Sequence, residues 1–274
     1  MTGSPLPREL LDYYAQGKEA GRLARGIGPL EQARTQELVQ RFLPASPAVV
    51  YDVGGGPGAH AFWLAEQGYA VHLVDIAPLH IEQARARAAS PVAPQLASIE
   101  QADARHLPFA DRSADAVVLH GPLYHLTERA DRLAALAEVR RVLRPGGVVL
   151  AFAISQLAST VVGLLHGAIF DPEYLHMVTR EIETGRHDRP PGWPDLFTTA
   201  FFHRPDQLRA ELEDAGLACS DVLAVQGPAW MVPDFEASWQ DPTRRAVILQ
   251  VARLAEHEPA LSPHMIAIAS LREA

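Results

Sequence analysis

A glycine-rich segment offers the clearest chemistry in this sequence. Residues 49–60, VVYDVGGGPGAH, place Gly54, Gly55 and Gly56 directly after an apolar run that is typical of a buried strand. Glycine permits a tight turn and lets a ligand approach bare backbone, and a helix that starts after such a turn offers unpaired N–H groups. Together with Ala59, the glycines satisfy the dinucleotide-binding pattern G-x-G-x-x-G/A. The segment therefore predicts a ligand-binding turn between a strand and a helix.

Carboxylates follow at the ends of neighbouring predicted strands. Asp52 lies at the end of the first strand, Asp75 closes the second, and Asp103 closes the third. Asp75 stands about 20 residues after the glycines, the spacing at which an acidic residue holds a ribose diol. Because ligands of doubly wound sheets bind beyond the carboxyl ends of the strands, we expect these side chains to share one site. On these features alone, an NAD enzyme and another adenosine-binding enzyme fit equally well.

Strands and helices alternate along most of the chain, which predicts βαβ units and a doubly wound, mostly parallel α/β sheet with helices on both faces. The predicted strands are Val49–Val53, Ala70–Val74, Ile99–Ala102, Ala114–Leu119, Val148–Ala153, Ser220–Val225 and Met265–Leu271. The predicted helices are Pro7–Leu43 with a break around Gly26–Pro29 and a second part from Glu31, then Ala59–Gln67, Leu79–Ala89, Arg129–Leu143, Pro205–Ala215 and Pro242–His257. Residues 155–203 do not continue the alternation, and we expect them to form an insertion that caps the sheet.

Composition and charge exclude several classes of protein. The 274 residues include 24 basic and 33 acidic side chains, so the net charge of −9 opposes sequence-independent nucleic-acid binding. A lone Cys219 cannot form an internal disulfide. The N-terminal stretch lacks the basic and apolar regions of a signal peptide, so we expect a cytoplasmic location. The charge-free run Gly146–Phe170 is long enough to span a bilayer, but its Pro-Gly-Gly start and polar residues favour a buried strand followed by an apolar helix.

Five sequence blocks, in order and at the expected spacing, resemble the class I S-adenosylmethionine-dependent methyltransferases, in the branch that acts on small molecules. The blocks are YDVGGGPG (Tyr51–Gly58), VHLVDIAP (Val71–Pro78), ADARHLPF (Ala102–Phe109), ADAVVLHGPLYHL (Ala114–Leu126) and RRVLRPGGVV (Arg140–Val149). They cover residues 49–152, and the N-terminal stretch around YYAQGKEAGRL also resembles a leader found in that family. The resemblance implies a Rossmann-like fold with a seven-stranded sheet, N-terminal helices and a cap insertion.

The resemblance also implies where the cofactor, S-adenosylmethionine, would bind. In this assignment the glycines line its methionine moiety, Asp75 holds its ribose hydroxyls and Asp103 accepts from its adenine amino group, whereas Tyr14 and Arg34 reach its carboxylate side. The full predicted cofactor set is Tyr14, Arg34, Asp52, Gly54, Gly55, Gly56, Asp75, Ile76, Asp103, Ala104, Leu119 and His120. No metal is predicted, because the twelve histidines show no zinc-peptidase spacing.

The acceptor side is expected just beyond the fourth strand. His125 is the predicted general base, since histidine titrates near neutral pH, and Tyr124 is predicted to position the acceptor. The alternative for His125 is a packing or hydrogen-bonding role at the start of the next helix, and Tyr124 could simply form a pocket wall. Residues 156–170 carry no charged side chain, and residues 193–202 are rich in aromatic side chains. These two segments predict an enclosed, largely apolar acceptor pocket under the cap.

These features lead to one functional hypothesis with three alternatives. We expect methyl transfer to a small, hydrophobic organic acceptor in specialised metabolism, by a monomer or homodimer with no nucleic-acid or membrane partner. A quinone-type C-methyltransferase is one alternative, and a cofactor-binding protein without turnover is another. An NAD(P)-dependent oxidoreductase would need a catalytic Tyr/Lys pair, and the single lysine, Lys18, lies outside the predicted sheet.

The hypothesis divides the chain into four segments of one domain. Residues 1–48 form a helical lid, and residues 49–154 form the cofactor-binding core. Residues 155–203 form a cap over the acceptor pocket, and residues 204–274 complete the core sheet.

Overall fold

A seven-stranded sheet forms the centre of the computed structural model, which describes residues 8–17 and 19–271. The strands are β1 (Val49–Val53), β2 (Ala70–Asp75), β3 (Ser98–Gln101), β4 (Ala114–Leu119), β5 (Leu143–Ile154), β6 (Arg186–His187), β7 (Ala200–Phe201), β8 (Leu217–Ala224) and β9 (His264–Leu271). The order in the large sheet is β3-β2-β1-β4-β5-β9-β8, and β6 pairs with β7 separately. Neighbours from β3 to β5 are parallel, whereas β9 is antiparallel to both β5 and β8.

Helices cover both faces of the sheet and its carboxyl edge. They are α1 (Arg8–Tyr14), α2 (Gly28–Phe42), α3 (Ala59–Glu66), α4 (Pro78–Ala88), α5 (Pro122–His125), α6 (Arg129–Val142), α7 (Ala158–His166), α8 (Pro172–Thr184), α9 (Pro205–Asp214), α10 (Phe235–Gln240) and α11 (Pro242–Leu254). Short 3₁₀ turns occur at Arg22–Ala24, Ala168–Phe170, Gly227–Met231 and Pro259–Leu261. No helix in the described part of the chain is both long and apolar enough to cross a membrane.

The core consists of two apolar layers, one on each face of the sheet. Successive side chains of a strand point to opposite faces, so Tyr51 and Val53 join the layer that contains Leu136, while Val50 joins the layer that contains Phe62. A strand buried on both faces reads as a continuous apolar run, which explains why VVYDV could be identified as a strand from sequence. The same alternation places Asp52 on the Phe62 side, under the turn that follows β1.

The predicted doubly wound, mostly parallel seven-stranded sheet is confirmed. The charge-free run Gly146–Phe170 divides into β5 and α7, as expected. Two boundaries of the predicted N-terminal helices were wrong. The first part ends at Tyr14 instead of reaching Gly26, and Pro7 lies outside the described residues. The second part, α2, begins at Gly28 rather than Glu31, because Pro29 fits in the first helical turn, where its missing N–H costs nothing.

Residues 155–203 leave and rejoin the sheet at a single point. Ser155 forms an isolated bridge with His203, and the Gln156 amide donates to the His203 carbonyl oxygen at 2.9 Å. Between these ends lie α7, α8 and the small β6–β7 sheet. The side chains of Val161 and Val162 in α7 pack against the cluster around Leu30, away from the strand ends.

A buried arginine connects the N-terminal helix to the C-terminal part of the fold. The fully buried Arg34 donates to the Val225 carbonyl oxygen at 3.3 Å and to Glu256 at 2.8 Å, and it pairs with Glu37. Glu256 also accepts from Arg41 at 2.7 Å. The expectation that Arg34 reaches the cofactor was therefore wrong. Its guanidinium N–H groups donate to α2 and to residues that follow β8 and α11.

Replacing Arg34 by methionine should destabilise the fold strongly. Arg34→Met leaves the surrounding buried acceptors without their donor, so we expect the free energy of unfolding to fall by about 3 kcal/mol. The matched control is Arg41→Met, since Arg41 pairs with the same Glu256 but is 42% exposed, and its loss should cost less than about 1 kcal/mol. Urea unfolding measures both changes, and equal losses in the two variants would contradict the structural role of Arg34.

Candidate active site

A cavity of about 660 Å³ lies at the carboxyl ends of β1, β2 and β4. Eleven of the residues predicted from sequence contribute to its wall. They are Tyr14, Gly54, Gly55, Gly56, Asp75, Ile76, Asp103, Ala104, His120, Tyr124 and His125. The topology explains the convergence, because parallel strands bring their following loops to one edge of the sheet.

The three consecutive glycines are required for different reasons. A Cβ on Gly54 would lie 2.5 Å from the His120 carbonyl oxygen, and a Cβ on Gly55 would lie 2.3 Å from Oδ2 of Asp52. At Gly56 the nearest atoms to such a Cβ, in Glu19 and His80, are at 3.8 and 3.9 Å, but φ is +59°. Gly54 and Gly55 therefore let the protein pack against itself, whereas Gly56 presents open backbone to the cavity.

Asp75 is the central acceptor of the adenosine side. Its Oδ2 accepts from the Gly56 amide at 2.8 Å, and its Oδ1 accepts from the Ala77 amide at 2.8 Å and lies 3.1 Å from Nδ1 of His80. A carboxylate offers about four lone-pair positions, so Oδ2 retains one for a further donor. A ribose hydroxyl fits this remaining position, and the carboxylate is already oriented to receive it.

Asp103 is held differently, by an arginine that the sequence analysis did not consider. The Arg105 guanidinium donates to Oδ2 of Asp103 at 2.7 Å, and the Arg105 amide donates to Oδ1 at 2.9 Å. Burial raises the pKa of Asp103, but these bonds and the Arg105 charge outweigh burial and lower the pKa overall. An adenine amino group at this position would share the carboxylate with Arg105.

Two predicted cofactor residues lie behind the wall instead of in it. Leu119, a member of the predicted cofactor set, is fully buried in the apolar layer of Tyr51 and Leu136 and does not line the cavity. Asp52 is also fully buried, directly beneath Gly55. A direct contact between Asp52 and a ligand is excluded by that burial, and its influence would pass through the glycine turn.

The buried Asp52 carboxyl group has an unusual environment. Neither of its oxygens forms a hydrogen bond of good geometry with a described residue. Burial raises its pKa to about 7, the negative charge of Asp75 adds to this effect, and a weak interaction with the Ala61 amide opposes it. At neutral pH a large fraction of Asp52 is therefore protonated.

The predicted base, His125, faces the cavity but is paired with Tyr14. The Tyr14 hydroxyl oxygen lies 2.6 Å from Nε2 of His125, while Nδ1 is buried and has no partner among the described residues. Burial lowers the pKa of His125 to about 3. The general-base role of His125 stays a prediction, and the Tyr14 bond to Nε2 argues for orientation of the lid rather than proton transfer.

The N-terminal segment, not residues 155–203, covers most of the cavity. Of residues 155–203, all of which are described, Phe197 is the one that lines the wall, so the apolar roof expected from residues 156–170 was wrong. The N-terminal lining residues are Leu10, Tyr13, Tyr14, Glu19, Ala20, Gly21, Arg22, Leu23, Ala24 and Gln32. The ring of Tyr13 packs on Phe197 with centroids 5.6 Å apart, and Glu9 pairs with Arg189 at 3.0 Å. These contacts hold the lid against the insertion.

Sequence reasoning missed two charged residues of this lid. Arg22 donates to both oxygens of the buried Glu31 at 2.7 Å and to Glu19 at 2.9 Å. Both Arg22 and Glu19 line the cavity, and Glu19 lies beside Gly56. Three of the five guanidinium N–H groups are used, which leaves two for a ligand. The i, i+3 spacing of Glu19 and Arg22 in the stretch YYAQGKEAGRL could have indicated this ion pair from sequence. The histidines His60 and His264 were also missed as wall residues.

Comparison with known proteins gives a consistent result. Residues 50–147 match the family described as "Methyltransferase domain". The chain is 34% identical over 157 residues to methyltransferase GfsG of Streptomyces halstedii, which covers 51% of this chain and 55% of that protein. It is 38% identical over 123 residues to the ubiquinone/menaquinone biosynthesis C-methyltransferase UbiE of Paracoccus denitrificans, covering 44% of this chain and 48% of that protein. The chain thus spans about half the length of these curated relatives.

A solved structure extends the likeness of fold to most of the chain. A SAM-dependent methyltransferase from Methanosarcina mazei superimposes with a TM-score of 0.58 at 21% identity, covering 86% of this chain and 98% of that one. At that identity the likeness concerns the fold.

The environment of Asp52 predicts a specific pH dependence. The unfolded carboxyl group has a pKa of about 3.9, so between about pH 4 and 7 the folded protein binds a proton that the unfolded chain does not. The stabilisation from this proton is complete below about pH 4 and is lost as pH rises to 7. Asp52→Asn has no such proton to lose. Its free energy of unfolding minus that of wild type should therefore increase by roughly 1 kcal/mol per pH unit between about pH 4 and 7.

Asp115 provides the control for this measurement. The Val49 amide and Arg144 lower the pKa of Asp115, so its contribution changes only below about pH 4. The difference between Asp115→Asn and wild type should therefore be flat from pH 5 to 7 in urea unfolding. A flat difference for Asp52→Asn over the same range would show that Asp52 is ionised in the folded protein.

Proposed function

Because this chain belongs to the class I S-adenosylmethionine-dependent methyltransferases, we propose that it transfers the cofactor's methyl group to a small, largely apolar organic acceptor of specialised metabolism. The observation that carries the proposal is the glycine turn joined to Asp75 at the edge of the cavity. The acidic net charge and the cavity volume of about 660 Å³ support a small acceptor over a nucleic acid. An NAD(P)-dependent oxidoreductase is not retained, since the family match is to methyltransferases; Lys18 lies outside the described residues.

The residues of the cavity fit S-adenosylmethionine. Asp75 would hold the ribose through its remaining lone pair, Ile76 and Ala104 would contact the adenine, and the open backbone of Gly56 would receive the methionine end. The bound cofactor supplies an activated methyl group on a sulfonium cation. The chain's own part is to align the acceptor with that methyl group and to exclude water, because in-line displacement depends mainly on orientation.

The charged lid residues are suited to the amino-acid end of the cofactor. Arg22 has two unused N–H groups for a carboxylate, and the Glu19 side chain lies beside Gly56, where an ammonium group would sit. We therefore assign to Arg22 the role that sequence reasoning had given to Arg34. Tyr14, bonded to His125, would close the lid over the same end.

Within this proposal the four-segment division of the chain is kept with one change. The described residues of segment 1–48 form the lid, residues 49–154 and 204–271 form the core, and residues 155–203 brace the lid instead of capping the pocket. The acceptor would lie beneath the lid, where Phe197 and Tyr124 line the cavity, and Tyr124 would contribute to positioning it.

A quinone-type C-methyltransferase is the second candidate, supported by the 38% identity to the UbiE relative over 123 residues. The two functions differ in the atom that receives the methyl group. With ¹³C-methyl-labelled cofactor, carbon NMR of the product distinguishes a ring methyl from a methyl on oxygen or nitrogen.

Removing the ribose acceptor should weaken cofactor binding. Calorimetry should detect binding of S-adenosylmethionine and S-adenosylhomocysteine but not NAD, and Asp75→Ala should weaken both by about tenfold to a hundredfold through loss of charged hydrogen bonds. Asp115→Ala is the control, because Asp115 bonds to Val49 and Arg144 at the opposite end of β4. Tight NAD binding, or equal affinities in wild type and Asp75→Ala, would contradict the proposal.

The assignment of Arg22 can be tested with two ligands that differ only at the amino-acid end. Arg22→Gln should bind S-adenosylhomocysteine about tenfold more weakly than wild type, because a charge-assisted hydrogen bond to the ligand carboxylate is lost. 5′-Methylthioadenosine lacks that carboxylate, so its affinity should change less than about twofold. Equal weakening for both ligands in calorimetry would mean that Arg22 acts only by holding the lid together.

A further inference from the structure

Three histidines form a polar wall on the side of the cavity away from the adenosine residues. His60 lies in the first turn of α3, His120 follows β4, and His264 begins β9. In the sheet, β4, β5 and β9 lie on one side of β1, whereas β2 and β3, which precede Asp75 and Asp103, lie on the other. We call His60, His120 and His264 the histidine wall.

Packing fixes the orientation of the histidine wall. The His120 ring stacks on Phe152 with centroids 4.2 Å apart and an interplanar angle of 7°. On its other side it stacks with His60 at 5.5 Å and 18°. His60 and His120 are 7% and 8% exposed, so neither ring is solvated from the protein surface.

The hydrogen-bonding capacity of the wall is largely unused. Both ring nitrogens of His60 are buried and have no partner among the described residues. At His264, Oε1 of Gln226 accepts from the His264 amide at 3.1 Å, so the Gln226 NH₂ group donates to Nδ1 of His264 at 2.9 Å. The proton of a neutral His264 is therefore on Nε2, which makes Nε2 a donor. Buried polar groups without partners are costly and point to a ligand that satisfies them.

The charge of the wall is set by burial and by its neighbours. Burial lowers the pKa of His60 to about 4 and lowers those of His120 and His264, so all three imidazoles are neutral at pH 7. The charged groups facing them are Arg22, Glu31 and Glu19. Arg22 pairs with both carboxylates, and its two remaining N–H groups are assigned to the cofactor's carboxylate, so the three imidazoles themselves offer the acceptor neutral donors and acceptors.

We propose that the histidine wall binds a hydroxyl group of the acceptor, so that the enzyme is an O-methyltransferase for a phenol or alcohol. This inference rests on the proposed methyltransferase function and names its acceptor class. A neutral imidazole presents one N–H and one bare nitrogen, and a hydroxyl group is both donor and acceptor, so it matches the wall. An acceptor carboxylate would face Glu19 and Glu31 while the cofactor occupies the free N–H groups of Arg22, and an ammonium group would leave the imidazole N–H groups unmatched.

The same residues account for the proton released in the reaction. The hydroxyl oxygen forms a bond to the methyl carbon as the carbon–sulfur bond breaks, and the electron pair of that bond remains on sulfur. The hydroxyl proton passes to the bare nitrogen of His60 or His120. Positive charge thus moves from the sulfonium to an imidazolium, and the buried Glu31 stabilises it there. His125 is less suited to this role because Tyr14 occupies its Nε2.

Phenylalanine substitutions test the wall without removing the ring stack. The variants are His60→Phe and His120→Phe, and the control is His176→Phe on the exposed side of α8. Each is first titrated with S-adenosylhomocysteine, and the resulting complex is titrated with 4-chlorophenol, 4-chlorobenzoate and 4-chlorobenzylammonium by calorimetry. In wild type and the control we expect 4-chlorophenol to bind most tightly, and in each wall variant its affinity should fall about tenfold with loss of a hydrogen bond. For His60→Phe the affinity for S-adenosylhomocysteine should change less than about twofold, which also shows that this variant is folded. Saturable binding of S-adenosylhomocysteine shows that His120→Phe is folded.

A spectroscopic readout keeps the test independent of turnover. In ¹⁵N-histidine-labelled protein, 4-chlorophenol should shift ring-nitrogen signals that are missing in His60→Phe or His120→Phe. Equal or tighter binding of the benzoate or the ammonium compound, unchanged phenol affinity in both wall variants, or no phenol binding by a protein that binds S-adenosylhomocysteine would each overturn the hydroxyl assignment. Failure of wild type to bind S-adenosylhomocysteine would instead refute the proposed function itself.

Discussion

The Asp75 carboxylate connects the two turns that form the cofactor end of the cavity. It accepts from the Gly56 amide after β1 and from the Ala77 amide after β2, and it orients His80. These bonds fix Gly56 in its left-handed conformation with open backbone toward the cavity. The rest of the site depends on this arrangement, because the lid packs on it through Tyr14 over His80, with ring centroids 4.7 Å apart.

The site combines buried charges that are paired with buried polar groups that are not. Arg22–Glu31 and Arg34–Glu256 are complete pairs that hold the lid and the C-terminal helix in place. Asp52, His60 and His120 lack such pairs, and each is uncharged to a large extent because burial shifts its pKa toward the neutral form. Neutral histidines in the wall suit an enzyme whose cofactor carries the positive charge, since a protonated histidine there would repel it.

The segments of the chain also contribute to the site differently from a core covered by a cap. The N-terminal segment supplies the lid and its charged residues, whereas residues 155–203 contact the cavity through Phe197 and brace the lid through Arg189 and Glu9. Acceptor selection would therefore depend on the lid and the histidine wall. The apolar helix α7, which in sequence looked suited to an acceptor pocket, instead packs against the cluster around Leu30.

The sequence by itself determined the sheet, the glycine turn and the carboxylates at the strand ends, because these follow from local patterns: apolar runs, glycine spacing and the alternation of strands with helices. Tertiary structure decided the partners of charged and polar side chains. Arg34 and Arg22 look alike in sequence, but only folding places Glu256 and Val225 beside the first and the cavity beside the second. His60, His120 and His264 come from segments up to 204 positions apart, and their convergence depends on the strand order β1-β4-β5-β9, which local periodicity does not encode.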